Sequence, residues 1–399
     1  MSDERGDGYR LVRLRGGPYQ MGLQHGLALQ REIWSLWQAC DRLVLSARGR
    51  VAGWVARQAL IAVARLMERF VAPELRRELR GVADGAGLPY GYLLLLNCFD
   101  DLMNNLRFLD GHLARLGCSA FAAIGERAAD GTVIAGRNLD YWFRSEFAAA
   151  GYAPTAALQA HMVVLVHEPA QGLPFVSVGW PGLVNVVTAQ SAAGLALACL
   201  TSPAWSERPW GTPLPFLYRQ IIQYDTSLPA VEARLRRARR TIGNNLLVAS
   251  APERDARVFE LTSRQLAMRT PTNGVIVQTN HFLTPALAAD QVGLVTRSSP
   301  QRLARLETLL ATGPVDVARA QAVLSDQLCL DEAECLWSRV LNAGTIYSTV
   351  FEPARGRVWV RLGDHDGRRW EAVEVPGVAT TPRATSVAAP SKEPAARAR

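Results

Sequence analysis

The chain has 399 residues, of which 49% are hydrophobic and 20% are charged; this composition allows a sizeable buried core and excludes a disordered or collagen-like chain. The formal net charge is +8, yet Lys392 is the only lysine. Because Lys392 lies in the C-terminal tail, mechanisms that need a core lysine, such as a pyridoxal Schiff base or a phosphate-binding loop, are excluded.

The charge pattern and the cysteines narrow the class of protein further. Arginines are spread along the chain rather than clustered, so we expect no nucleic-acid partner. The six cysteines show no Cys-x-x-Cys pair and no metal-ligand spacing, which predicts free thiols in a reducing, cytoplasmic compartment. The polar first residues lack the apolar core of a signal peptide, and without a run of about 18 apolar residues we expect no membrane span.

The first part of the chain, up to residue 117, has the apolar periodicity of helices. Helices are predicted over about 19–47, 54–71 and 93–106, with breaks at Pro73 and over the glycine-rich stretch 81–91. The sequence therefore predicts a helical N-terminal segment.

From residue 119 onward the pattern becomes rich in strands. Segments 119–124 and 132–136 flank Asp130-Gly131, a typical hairpin turn. Further strands are predicted at 161–167, 174–179, 184–190, 195–201, 245–250, 256–262, 274–279, 345–352 and 357–362. Helices are predicted at about 213–224, 229–240, 300–312 and 315–325. This order favours an α+β layered fold, and the composition after about residue 376 predicts a disordered tail.

The residues best suited to chemistry lie between residues 116 and 142. Cys118 follows Gly117 where the helical region gives way to the first strand, and Arg137 and Asp140 come at the far end of the hairpin. Because a strand–turn–strand brings its two ends together, we expect Arg137 and Asp140 to lie beside Cys118.

This stretch, Gly-Cys-Ser-Ala-Phe followed by Asp-Gly-Thr-Val-Ile-Ala-Gly-Arg-Asn-Leu-Asp-Tyr-Trp, resembles the N-terminal-nucleophile (Ntn) hydrolases of the acyl-coenzyme A:6-aminopenicillanic acid acyltransferase family. Choloylglycine hydrolases and acid ceramidases are more distant relatives. Other family elements are matched at 16–26, 185–197, 279–282, 298–302 and 345–363. The resemblance implies an αββα four-layer sandwich of antiparallel sheets with a helical N-terminal region.

The resemblance also implies self-cleavage between Gly117 and Cys118. The expected parts are an N-terminal segment 1–117, which stays bound as a partner, a catalytic core 118–375 and a tail 376–399. Gly117 has no Cβ and tolerates the distorted backbone that attack on its carbonyl needs. The freed α-amino group of Cys118, with an unperturbed pKa of roughly 7.7–8.0, can then act as the base.

Roles for further residues follow from the same resemblance. Asp140 is expected to orient and balance the Cys118 amino group, Arg137 to contact the nucleophile sulfur and favour the thiolate, and Asn280 to donate to the oxyanion. Further oxyanion or substrate contacts are expected from the Tyr141 N–H, His281, Arg302 and Arg339. Arg339 stands out of register with the arginine of the acyltransferases.

The predicted function is that of a cysteine Ntn hydrolase or acyltransferase. It acts on a small-molecule amide or thioester through an acyl-enzyme on Cys118, needs no cofactor and admits acyl-coenzyme A as a co-substrate. Two alternatives stay open. One is a papain-like amidase that pairs Cys118 with His281 and does not cleave itself; the other is a catalytically silent family member that acts as a binding protein.

Overall fold

The computed structural model describes residues 3–5, 9–44, 50–110, 114–143, 158–292, 298–328, 338–363 and 369–378. The helices are α1 Pro18–Ala28, α2 Gln30–Val44, α3 Arg50–Glu68, α4 Pro73–Ala86, α5 Tyr90–Asn97, α6 Phe99–Asp110, α7 Leu214–Tyr224, α8 Leu228–Arg237, α9 Pro285–Ala288, α10 Ser298–Leu309 and α11 Val317–Leu324. The strands are β1 Asp3–Arg5, β2 Arg10–Gly16, β3 Ala114–Ile124, β4 Val133–Phe143, β5 Val163–Pro169, β6 Phe175–Gly179, β7 Thr188–Ser191, β8 Leu195–Thr201, β9 Asn244–Ser250, β10 Asp255–Leu261, β11 Leu266–Arg269, β12 Val275–Gln278, β13 Thr345–Glu352, β14 Arg357–Leu362 and β15 Glu371–Glu374.

The described strands form two sheets. The larger has nine strands in the order β1-β2-β5-β6-β7-β8-β9-β10-β11, and its neighbours are antiparallel except for the parallel pair β2 and β5. The smaller has six antiparallel strands in the order β12-β3-β4-β13-β14-β15. The expected hairpin is therefore β3 and β4, at the centre of the smaller sheet.

The two sheets stack face to face, and helices cover their outer faces. Ala120 and Ala122 of β3 join a core shared with the nine-stranded sheet. Phe121 and Ala123, on the opposite face of the same strand, pack in a separate core with α10 and α11. Helices α1 and α4 pack on the nine-stranded sheet together with Leu165 of β5. Both faces of β3 are apolar because both are covered, and the expected αββα sandwich is confirmed.

Helices α1 and α4 approach each other closely through glycines. A Cβ on Gly22 would lie 2.0 Å from the backbone oxygen of Glu78, and one on Gly81 would lie 2.3 Å from that of Tyr19. The break predicted over 81–91 is shorter than expected: it covers only 87–89, because α4 runs to Ala86 and Gly81 lies inside it. The glycine serves helix contact there, and Gly87, at φ 64°, ends the helix in the left-handed conformation.

This contact predicts a stability effect. Gly22→Ala should lower the free energy of unfolding by about 3 kcal/mol, because the new methyl group must push two helix backbones apart. Gly179→Ala is the matched control, since nothing lies within 4 Å of a Cβ placed at Gly179; it should cost less than about 1 kcal/mol. Denaturant unfolding of both variants beside the parent chain measures this, and equal losses would contradict the close-packing argument.

Other element boundaries also differ from the prediction. The helix expected over 19–47 is interrupted at Leu29, and the one expected over 93–106 is two helices, α5 and α6. Strand β2 was missed because arginines interrupt its apolar residues, yet it pairs in parallel with β5. The N-terminal segment therefore supplies strands as well as helices. The expected disordered tail begins at residue 376, and residues after 378 lie outside the described part of the chain.

Candidate active site

Cys118 lies inside strand β3 rather than at its start. Its side chain is 2% exposed, and in the register with β4 it stands opposite Leu139, while Gly117 stands opposite Asp140. Gly117 is not among the described glycines with a positive φ, so the peptide before Cys118 takes part in regular strand pairing.

The Cys118 thiol faces a buried guanidinium. Arg137 Nη2 donates to Cys118 Sγ at 3.4 Å, and Arg137 Nη1 donates to the Val187 carbonyl at 2.5 Å and to Thr188 Oγ1. Burial disfavours the charge of Arg137, but the neighbouring Tyr347 and Cys118 raise its pKa, so the guanidinium stays charged. The expected Arg137–Cys118 contact is present, and an arginine here stabilises a thiolate.

The backbone nitrogen of Cys118 is held by Asn280. Cys118 N donates to Asn280 Oδ1 at 2.6 Å, and Asn280 Nδ2 donates to the Thr201 carbonyl at 2.9 Å. That is the one hydrogen bond that Nδ2 makes within the described residues, so its second hydrogen is free to donate to a substrate oxygen. The Asn280 N–H in turn donates to Ser299 Oγ at 2.8 Å, which fixes the loop after β12.

Arg302 of α10 holds the backbone of Cys118. Its Nη1 donates to the Cys118 carbonyl and, at 2.9 Å, to Ser119 Oγ, while its Nη2 donates to Asn280 Oδ1 at 3.0 Å. Arg302 is only 1% exposed. Burial lowers its pKa, and the charges of Asp140 and Cys118 oppose that change. Arg302 therefore contacts both Cys118 and Asn280 and interacts electrostatically with Asp140.

Asp140 is fully buried on the face of β4 that looks away from the nine-stranded sheet. Its Oδ1 accepts from Thr345 Oγ1 at 2.8 Å and its Oδ2 from Asn342 Nδ2 at 2.7 Å. Burial raises its pKa, while Arg302 and the Asn342 and Thr345 hydrogen bonds oppose the rise. In the uncut chain the Cys118 nitrogen bonds to Asn280 and not to Asp140.

Three expected contacts have other partners. The Tyr141 N–H donates to the Gly344 carbonyl at 2.8 Å, so in this structure it is engaged within the fold. His281 Nδ1 bonds to Ser299 Oγ at 2.7 Å, and burial together with Arg302 lowers its pKa to about 4. The Arg339 carbonyl accepts from Asn342 Nδ2 at 3.4 Å. Arg339 therefore lies next to the asparagine that donates to Asp140.

Several residues at the site were missed by sequence reasoning. They are polar groups that fix Arg137, Asn280 and Asp140 from distant parts of the chain: Thr188, Thr201, Ser299, Asn342, Thr345 and Tyr347. Four of them, Thr188, Ser299, Thr345 and Tyr347, lie in segments that resemble family elements, so that resemblance could have found them. Asn342 lies in none.

A family model described as acyl-coenzyme A:6-aminopenicillanic acid acyl-transferase matches residues 130–366, more than half of the chain. The chain belongs to this family. The matched part holds Arg137, Asp140, Asn280 and Arg302 and begins after Cys118. The resemblance inferred from the sequence is therefore confirmed.

Curated relatives of this acyl-transferase family member are distant. It is 26% identical over 369 residues to an uncharacterized protein of Archaeoglobus fulgidus, covering 80% of this chain and 58% of that protein. It is 24% identical over 255 residues to protein dcd1A of Dictyostelium discoideum, covering 58% and 53%. Over 75 residues it is 35% identical to the N-acylethanolamine-hydrolyzing acid amidase of Caenorhabditis elegans, 19% of either chain. The chain thus spans little more than half the length of the first two relatives.

Solved structures similar to this family member are also distant. The Caenorhabditis elegans N-acylethanolamine-hydrolyzing acid amidase ortholog has a TM-score of 0.42 and 16% identity, covering 59% of this chain and 93% of that one. Penicillin V acylase from Agrobacterium tumefaciens has a TM-score of 0.41 and 12% identity, covering 63% and 85%. A mutant conjugated bile acid hydrolase from Clostridium perfringens has a TM-score of 0.41 and 11% identity, covering 64% and 92%.

A mostly apolar cleft lies among the helices of the N-terminal segment. Its lining includes Trp37, Leu60, Leu96, Phe99, Leu102 and Met103, from helices α2, α3, α5 and α6. Asp100 follows Phe99 in the chain; burial raises its pKa to about 6, and the charge of Arg137 opposes the rise.

The described residues contain neither a membrane-crossing helix nor a metal-binding cluster. None of the described helices combines the length and apolarity that crossing a membrane takes. Within the same residues, no group of three or more His, Cys, Asp or Glu side chains is arranged to hold a metal ion.

Proposed function

We propose that this chain is a self-cleaving cysteine amidohydrolase or acyltransferase whose nucleophile is Cys118. One observation carries the proposal: three atoms of Cys118 each have a separate side-chain partner. The sulfur accepts from Arg137, the nitrogen donates to Asn280, and the carbonyl accepts from Arg302. The backbone groups of any buried cysteine need hydrogen-bond partners, but a cysteine that served only as a small core side chain would not need a buried guanidinium at its sulfur.

Self-cleavage begins in the uncut chain. The Cys118 thiol attacks the Gly117 carbonyl carbon, a C–S bond forms, the C–N bond to Cys118 breaks, and the thiol proton passes to the nitrogen. Water then hydrolyses the thioester, which releases the Gly117 carboxylate and restores the thiol. The short hydrogen bond to Asn280 Oδ1 supports this step, because the amide oxygen can accept equally from the amine that forms.

Turnover then uses the new N-terminus of Cys118. Its amine takes the thiol proton as the sulfur attacks an amide or thioester carbonyl, and returns that proton to the leaving group. Arg137 stabilises the sulfur anion, and the second hydrogen of Asn280 Nδ2 stabilises the oxyanion. Asp140 balances the positive charge on the amine. Water or an acceptor amine finally removes the acyl group from the sulfur.

The substrate class that fits best is a small amide with an apolar acyl group. A cleft lined mainly by apolar side chains lies among helices α2, α3, α5 and α6, and burying each methylene of an acyl chain there is worth about 0.8 kcal/mol. The name of the Caenorhabditis elegans relative, an N-acylethanolamine-hydrolyzing acid amidase, supports amide chemistry.

A series of acyl p-nitroanilides of increasing acyl length tests this function. We expect kcat/KM to rise about three- to fourfold per methylene until the cleft is filled. Leu60→Trp, which narrows the cleft from α3, should shorten the preferred acyl chain. Leu66→Trp, on the same helix but 45% exposed, is the matched control and should not. A flat length profile, or equal behaviour of the two variants, would contradict the apolar acyl site.

A further inference from the structure

Both oxygens of the buried Asp140 carboxylate are held by one short segment. Thr345 Oγ1 donates to Oδ1 at 2.8 Å, and Asn342 Nδ2 donates to Oδ2 at 2.7 Å. Asp140, Asn342 and Thr345 are at most 2% exposed, so water does not compete for these contacts. Two donors directed at one carboxylate favour its ionised form.

The segment fixes the direction of both donors. Asn342 Oδ1 accepts from the Gly344 N–H at 2.9 Å. If the Asn342 amide were flipped, its oxygen would face the Asp140 carboxylate and its NH₂ group would face the Gly344 N–H, so the observed orientation is fixed. Thr345 Oγ1 accepts from the Asn342 N–H at 3.1 Å, which leaves its own proton for Asp140. Asn342 thus orients Thr345 as well as Asp140.

Strand β4 also anchors the segment at its other end. Asn138 Nδ2 donates to the Val340 carbonyl at 2.8 Å and to the Leu324 carbonyl, at the end of α11, at 3.0 Å. Asn138 and Asp140 are two residues apart and therefore project from the same face of β4. Through Asn138 and Asp140, the Arg-Asn-Leu-Asp motif makes hydrogen bonds at both ends of the segment 340–345.

We infer that Asn342 is a positioning residue for the reaction: with Thr345, it holds Asp140 ionised and in place to balance the Cys118 amine. This inference rests on the proposed function, since that function gives Asp140 its role. Nothing in the family match or in the relatives' names assigns Asn342. The other charged groups within electrostatic reach of Asp140 are Arg302 from α10 and, on the opposite face of β4, Arg137.

The pH profile separates this role from a merely structural one. Activity needs Asp140 ionised, so it is present above the pKa of Asp140 and is lost as pH falls through it. Removing a donor raises that pKa further, and the acid limb of kcat/KM must move to higher pH. A purely structural role would lower the rate at every pH and leave the limb in place.

Two isosteric changes make the test. Asn342→Asp sets a second carboxylate against Asp140, and Thr345→Val removes one hydroxyl. Each should move the acid limbs of both kcat/KM and the self-cleavage rate upward by about one pH unit or more, with much of the rate recovered at high pH. Thr345→Ser keeps the donor and should leave the limb where it is. If Asn342→Asp does not fold, the comparison of Thr345→Val with Thr345→Ser still tests whether the donors to Asp140 set the acid limb.

The outcomes distinguish this inference from the proposed function. The proposed function is overturned if the parent chain stays uncut, or if the Cys118→Ala variant is as active as the parent. Cys118-dependent activity with unshifted limbs in Asn342→Asp and Thr345→Val overturns the role of Asn342 alone.

Discussion

Replacing Cys118 by alanine is expected to leave a single uncut chain and to lower amide hydrolysis by roughly 10⁴-fold or more. The loss is this large because one residue supplies the nucleophile of self-cleavage, the nucleophile of turnover and the amine that moves the proton. A denaturing gel and hydrolysis of an acyl p-nitroanilide measure the two effects together.

Cys98→Ala is the matched control for that variant. Cys98 is also fully buried, and its surroundings raise the pKa of its thiol well above the ordinary value, so it stays protonated. The control should cleave and turn over like the parent. A Cys118→Ala protein that still yields two fragments would place the cleaving group elsewhere, and one that stays active would remove Cys118 from the chemistry.

Asn280 should produce the second large effect. Asn280→Ala removes the amide that would donate to the oxyanion, and we expect kcat to fall by about 10²–10³-fold, or roughly 3–4 kcal/mol, with a smaller change in KM. Because Asn280 also accepts from the Cys118 N–H, the rate of self-cleavage should fall too. Rates are therefore normalised to the cleaved fraction measured by intact mass.

Asn105→Ala is the control for the loss of an asparagine amide. Among the residues that the structure describes, its Nδ2 donates to the Asp101 carbonyl of the same helix at 2.8 Å, so cleavage and kcat should stay close to those of the parent. A fully cleaved Asn280→Ala enzyme with the parent's kcat would show that another group stabilises the oxyanion.

Local pattern was enough to place the centre of the site. The Asp-Gly turn and the apolar residues on either side predict the β3–β4 hairpin, and the hairpin brings Arg137 to Cys118. The alternation of a strand also explains why Arg137 and Asp140 act from opposite faces of β4. Each of these features depends on residues close together in sequence.

Contacts between distant segments could not be read in the same way. Asn342 reaches Asp140 across 202 residues, and no periodicity or turn marks it. The partner of the Tyr141 N–H depends in the same way on the segment that precedes β13. Gly81 lies inside α4, and its role depends on the contact between α1 and α4, which no local pattern shows.

The fold explains how one hairpin can serve both cleavage and turnover. The thiol and Arg137 lie on the face of the smaller sheet that meets the other sheet, whereas Ser119, Asn138 and Asp140 lie on the face covered by α10 and α11. Arg302 connects the two, since it touches the Cys118 carbonyl and lies within electrostatic reach of Asp140. The proposed amine would form where these groups converge.

N-terminal sequencing of the purified, active protein tests the central proposal most directly. We predict two polypeptides, residues 1–117 and 118–399, with the second beginning Cys-Ser-Ala-Phe. Active protein in which no chain begins at Cys118 would contradict it.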